Sequence, residues 1–61
     1  MPEVYVHLAE GRTQDQKRTI LQEITRTIVN TLNVEPNNVV VTIIESPRHH
    51  KAKGGVLFSE R

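Results

Sequence analysis

Pro2, the second residue of the chain, carries a nitrogen that can become a basic amine. Methionine ahead of a small residue is ordinarily excised, and excision of Met1 leaves Pro2 with a free secondary amine. An α-amino group has a pKa near ~8, and an apolar pocket or a nearby cation lowers this pKa because both disfavour the charged form. Such an amine is suited to general base catalysis near neutral pH. The plainer interpretation is that Pro2 only begins a strand, where a missing N–H costs nothing.

Histidines are the other side chains that can act as bases or metal ligands, and the chain has three. His49 and His50 are adjacent, so on a strand they point to opposite faces and do not chelate one ion together. His7 stands alone on its strand, and the sequence has no cysteine. The sequence therefore predicts no metal and no cofactor, and His7 is interpreted as a hydrogen-bonded interface residue.

A basic segment, residues 48–53, contains three lysines and arginines and two histidines. Nucleic-acid binding through this segment is the function that such a charge run suggests first. However, the formal net charge is only +1, and one Tyr, one Phe and no Trp leave few rings for base stacking. The sequence favours a solvated basic loop and predicts no nucleic-acid partner.

The 61 residues allow one domain, predicted to span residues 1–61. A chain of this size buries only about 60% of the surface that its unfolded form exposes, so small domains add disulfides, a metal or a partner subunit. Because cysteine is absent, oligomerisation is the expected source of the missing burial. No apolar run is long enough for a signal peptide or a membrane span, so we expect a cytoplasmic protein with no membrane partner.

A strand and a helix are predicted in the first half of the chain. Residues 4–8 alternate apolar and polar side chains in the manner of a half-buried strand. Thr13 and Gln16 match a capping box, and a helix is predicted from this cap to about Leu32. Its apolar stripe consists of Ile20, Leu21, Ile24, Ile28 and Leu32. Lys17 is expected on the solvated side.

The second half of the chain predicts another strand and a hairpin. Residues 39–44 are almost all β-branched and apolar on both faces. One helix covers one face only, so the other face is expected to meet another subunit. A charge at Val41 or Ile43 is expected to unfold or dissociate the assembly. The Gly54-Gly55 pair predicts a tight turn. The predicted fold is α+β, a β-α-β unit with parallel strands and a short C-terminal hairpin.

Pro2, the alternating strand, Glu10-Gly11-Arg12-Thr13 opening the helix, Glu45 ending the later strand and the Gly54-Gly55 pair together resemble the 4-oxalocrotonate tautomerase family. The resemblance extends over essentially the whole chain. It implies dimers of β-α-β units that assemble into a hexamer. It also implies a cofactor-free isomerase that moves a proton in a small enol or dienol carboxylic acid.

Carried over by position, the resemblance makes Pro2 the general base and Arg12 the cation that binds a substrate carboxylate. A guanidinium binds a planar carboxylate through two parallel hydrogen bonds. The plain alternative for Arg12 is a solvated residue ahead of the helix, although a cation is unfavourable at that end of a helix dipole.

Two positions depart from the pattern of the family that the chain resembles. Where well-studied members carry a second arginine the chain has Val40, and where they carry an aromatic residue it has Lys51. The sequence therefore argues against a dicarboxylate held at both ends by the two arginines usual in that family. Lys51 is kept as a substrate-binding candidate, with Arg48 and Lys53 as other loop cations that restore positive charge.

Two function classes follow from these residues. The first is a tautomerase acting on a small carboxylated enol or keto acid as a homo-oligomer. The second is a weak or inactive subunit that pairs with a different tautomerase-like chain, which supplies the missing arginine; Val40 and Lys51 favour it.

Overall fold

The computed structural model describes residues 1–61, and its longest element is the helix α1, Gln14–Leu32. The predicted capping box is present: the Gln16 amide donates to Thr13 Oγ1 at 3.1 Å, and the Thr13 amide donates to Gln16 Oε1 at 3.1 Å. The helix ends at Asn33, which adopts a left-handed conformation with φ 56° and donates its amide to the Val29 carbonyl. Both ends of the helix are thus fixed by local sequence.

Strands β1, Glu3–Ala9, and β2, Val40–Ser46, form a parallel two-stranded sheet. The register pairs Glu3 with Val40 and Ala9 with Ser46, so the strands start and end together. A parallel pair needs a crossover connection, which α1 and the short 3-10 turn Pro36–Asn38 provide. The predicted β-α-β order is confirmed, although β2 begins one residue later than expected and ends two residues later.

The two faces of this sheet differ in exposure. Val41 and Ile43 are half-buried on the face that α1 covers, together with Val4, Val6 and Leu8 of β1. The opposite face leaves Tyr5 58% exposed, Ile44 38% and Val40 37%. A charge at Val41 or Ile43 would therefore disturb the packing of the chain's own helix. On the opposite face, Val40 and Ile44 are the apolar side chains that remain exposed for contact with another chain.

Lys17 does not lie on the solvated side of the helix as its charge suggested. It is half-buried, and its Nζ lies 3.0 Å from Glu45 Oε1 at the end of β2, with side-chain exposures of 20% and 34%. Lys17 precedes Ile20 by three residues and Leu21 by four, so it lies on the same face of the helix as their apolar stripe. Its methylene groups pack along this face, and its ammonium reaches Glu45. A partly exposed pair of this kind contributes about 1 kcal/mol or less.

Beyond β2 the chain forms a 3-10 turn, Arg48–His50, and the predicted hairpin. Strands β3, Ala52–Lys53, and β4, Val56–Leu57, pair antiparallel around Gly54 and Gly55, whose φ angles are 61° and 82°. Two successive positive φ values are those of the tight turn that suits a two-residue hairpin. A final 3-10 turn, Phe58–Glu60, follows.

His49 and His50 lie in the 3-10 turn rather than on a strand. Their ring centroids are 4.2 Å apart with an interplanar angle of 68°, so the two rings contact each other edge to face. The geometry expected of them on a strand therefore does not apply, because the backbone at these two residues is not extended.

The isolated chain has no core of its own. No residue is buried, and the molecule is flat, with extents of 43 × 23 × 14 Å. One helix laid on two strands leaves every apolar side chain partly open, so this fold gains further burial only by contact with other chains. No helix combines the length and the apolar character needed to cross a membrane.

Candidate active site

Pro2 is held at the amino end of the sheet. Its carbonyl accepts a hydrogen bond from the Val40 amide at 3.0 Å, directly ahead of the first paired residues of β1 and β2. Pro2 is half-buried, whereas Met1 is 81% exposed. Loss of Met1 would therefore place a secondary amine at a fixed position without disturbing any packed side chain.

The residues around Pro2 include an apolar side chain and an acid. Val40 occupies the position where well-studied members of the family that the chain resembles carry a second arginine. Its amide is hydrogen-bonded to Pro2, and its side chain has no charge. Glu3 Oε1 accepts a hydrogen bond from the Tyr5 hydroxyl at 3.2 Å. This hydrogen bond and the negative charge of Glu3 raise the pKa of Tyr5. The contact between Glu3 and Tyr5 was predictable from the sequence, because residues two apart on a strand share a face.

Arg12 lies at the opposite end of the sheet, between the end of β1 and the cap of α1. The seven residues of β1 alone span roughly 20 Å at about 3.3 Å per residue. Charges separated by more than a Debye length of about 8–10 Å are largely screened in water. Within one chain Pro2 and Arg12 are therefore not brought together, and the Arg12 of the same chain does not influence the Pro2 amine.

Lys51 also lies at the Arg12 end of the sheet, where its ammonium contacts an aromatic ring. Lys51 Nζ is 5.3 Å from the centroid of Phe58, and Arg61 Cζ is 5.4 Å from the same ring. The Phe58 amide donates to the Lys51 carbonyl at 2.8 Å, and this hydrogen bond joins the final turn, Phe58–Glu60, to the loop that follows β2. Sequence reasoning missed Phe58, because only the register of the hairpin reveals that residues 51 and 58 are neighbours.

Neither end of the sheet is an enclosed site in the single chain, which has no pocket. No three His, Cys, Asp or Glu side chains come together in a way that could hold a metal ion. The base candidate lies at one end and the candidate cations at the other, so a site that used both would need the two ends of different chains to meet.

Comparison with known proteins gives the family. Residues 2–61 match the family model for tautomerase enzymes. A protein of Bradyrhizobium diazoefficiens described as a probable tautomerase is 48% identical over 61 residues, covering 100% of this chain and 91% of the relative. The 2-hydroxymuconate tautomerase of Bacillus subtilis is 35% identical over 60 residues, covering 98% and 97%.

The fold agrees with solved structures of the same family. A heterohexamer 4-oxalocrotonate tautomerase from Chloroflexus aurantiacus superimposes with a TM-score of 0.90 at 25% identity, covering 98% of this chain and 97% of that one. The chain belongs to the tautomerase family, and it is an isomerase of the 4-oxalocrotonate tautomerase type.

Proposed function

We propose that this tautomerase isomerises a small enol carboxylic acid with the Pro2 amine as general base and without a cofactor. The observation that carries the proposal is the position of Pro2, whose carbonyl accepts a hydrogen bond from the Val40 amide at the amino end of the sheet. An amine held there, beside an apolar residue, has less solvent to stabilise its charged form, which lowers its pKa towards neutrality. The amine would take a proton from one position of the enol acid and return it at another, so that no other reactant is consumed.

The proposed site draws on two chains. Arg12 binds the substrate carboxylate, and it comes from a neighbouring chain because Arg12 and Pro2 of one chain lie roughly 20 Å or more apart along β1. A homohexamer is the proposed assembly. It is supported by the absence of any buried residue and by the exposed apolar face that carries Tyr5, Val40 and Ile44. Cytoplasmic location and a single domain over residues 1–61 stay predictions.

Substrate choice is the second part of the proposal. The Bacillus subtilis relative is a 2-hydroxymuconate tautomerase, and 2-hydroxymuconate is an enol with two carboxylates. We propose a small enol or keto acid of this kind as the substrate, with the enol of phenylpyruvate, which has one carboxylate, as a simpler probe. Lys51 remains a candidate contact to the substrate, although its ammonium is occupied by the Phe58 ring in the single chain.

A subunit of a hetero-oligomer is the second candidate. Val40 favours it, since an uncharged residue beside Pro2 leaves room for an arginine from a different chain, and the Chloroflexus aurantiacus neighbour is a heterohexamer. Purified chain that ketonises enols unaided would contradict this second candidate.

The experiment measures ketonisation of phenylenolpyruvate by the processed chain as pH is varied. The rate should rise with pH through the pKa of the Pro2 amine, which should lie below the ~8 of an ordinary α-amino group. Pro2→Ala keeps a terminal amine but makes it primary and more flexible, so it should lower the rate without abolishing it. An unchanged rate in Pro2→Ala, with an unchanged pH profile, would contradict the proposal.

A further inference from the structure

The loop that follows β2 is tied to the segment that carries Arg12. The Arg48 amide donates to Glu10 Oε1 at 3.3 Å, and the Glu10 amide donates to the Ser46 carbonyl at 3.0 Å. These two hydrogen bonds hold the first residue of the turn Arg48–His50 against the residues that connect β1 to α1. The position of Arg48 is therefore set through its backbone by Glu10, and its side chain makes no hydrogen bond within the chain.

The side chain of Arg48 extends across Gly11, the residue directly before Arg12. Arg48 Nη2 lies 3.7 Å from the point that a Cβ on Gly11 would occupy, which is an ordinary van der Waals contact. Gly11 has a φ of 119°, a conformation that side chains rarely adopt, so the glycine is required by the backbone rather than by the arginine. The guanidinium of Arg48 thus lies one residue away from Arg12.

Neither guanidinium has a counter-ion. Arg12 and Arg48 form no salt bridge, and neither side chain makes a hydrogen bond within the chain. Glu10, the nearest acid in the loop, accepts from the Arg48 backbone rather than from its side chain. Arg12 also precedes the positive end of the α1 dipole. Two unpaired cations at such a place favour an anion, and an anion with two negative charges can pair with both.

The contacts of the other two loop cations, Lys51 and Lys53, lie in the C-terminal hairpin and tail. Lys51 extends over the Phe58 ring. Lys53 lies in β3 of the hairpin, and its carbonyl accepts from Arg61 Nη2 at 3.0 Å. Of the three lysines and arginines in residues 48–53, the contacts place Arg48 against the residue next to Arg12.

We propose that Arg48 is a second anion-binding side chain of the active site, and that with Arg12 it gives this enzyme a preference for acids with two carboxylates. The inference rests on the proposed function, since it assigns Arg12 to one carboxylate of the substrate. Arg48 takes the second carboxylate and so supplies, from the loop, positive charge that Val40 does not carry. It is a specificity-determining residue and takes no proton.

Binding of two six-carbon acids tests this directly, because adipate has two carboxylates and hexanoate has one. Calorimetric titration of the assembled protein gives both affinities without any turnover. Arg48→Ala should weaken adipate binding about tenfold or more, as expected for a lost hydrogen bond between charged groups, and should leave hexanoate binding within about twofold. Arg48→Lys, which keeps the charge, should recover part of the loss. Arg26→Ala, which removes the same charge from the exposed side of α1, should change neither affinity.

Kinetics with two enols separate this inference from the proposed function. Arg48→Ala should raise the KM for 2-hydroxymuconate about tenfold with little change for phenylenolpyruvate. Equal effects on both enols, or an adipate affinity that does not change, would overturn the role of Arg48 while leaving Pro2 as the base. Wild-type protein that ketonises neither enol would overturn the proposed function itself, whereas the adipate titration still reports on Arg48.

Discussion

Arg12 lies where a cation is costly for the helix it precedes, and it has no partner in the chain to offset that cost. An unpaired guanidinium at such a position is suited to a ligand carboxylate. Pro2 is the complementary case, since its backbone is fixed to Val40 while its nitrogen carries only the exposed Met1. At the scale of single residues, the proposed site therefore combines the Pro2 nitrogen, whose backbone is fixed, with the unpaired Arg12 guanidinium.

Arg12→Ala should lower kcat/KM about tenfold or more on a carboxylated enol, and should have a much smaller effect on the corresponding ester, because the ester lacks the charge that Arg12 binds. Steady-state kinetics on the acid and ester pair measure the difference. Arg12→Lys is the control, since it keeps the charge but loses the two-pronged geometry, and it should fall between the wild type and Arg12→Ala. Equal losses on acid and ester would show that Arg12 supports the fold instead.

At the scale of elements, α1 depends on local sequence at its first turn. Thr13→Ala removes the side-chain oxygen that accepts from the Gln16 amide. The free energy of unfolding should fall by about 1 kcal/mol. Denaturation at a fixed chain concentration measures it. Thr31→Ala, at an exposed helical threonine that forms no side-chain hydrogen bond, should change stability by less than about 0.5 kcal/mol. Equal effects of the two changes would contradict the role of the cap.

Elements were the part of the molecule that the sequence predicted best. The period-2 pattern before Ala9, the Thr13 cap and the Gly54-Gly55 turn each have a local cause, and all three are present in the structure. Lys17 was misplaced because a charge was taken to mean solvent, although its spacing from Ile20 puts it on the apolar stripe.

The site was less predictable, because its contacts join residues distant in the chain. The contact between Lys51 and Phe58 depends on hairpin register, and the place of Arg48 over Gly11 depends on a hydrogen bond across 38 positions. By contrast, the separation of Pro2 and Arg12 within one chain follows from the length of β1 alone, so it was predictable from the sequence.

At the scale of the whole molecule, the two ends of the sheet must come from different chains for Pro2 and Arg12 to act on one substrate. A mixture of Pro2→Ala and Arg12→Ala chains, dissociated and reassembled together, should then regain activity. With random mixing, about a quarter of the sites receive an intact Pro2 from one chain and an intact Arg12 from another. If both residues of a site came from the same chain, the mixture would show no more than the average of the two variants.

The central claim is that the Pro2 amine is the base, and retention of Met1 tests it most directly. A chain of 61 residues is accessible to chemical synthesis with or without Met1, and Met1 is exposed, so both forms should fold and assemble alike. Acylation by Met1 removes the basic lone pair of the Pro2 nitrogen while keeping every other residue. Ketonisation of phenylenolpyruvate should be fast in the form that begins at Pro2 and should fall to the level of the uncatalysed reaction in the form that keeps Met1. Equal rates in the two forms would contradict the claim.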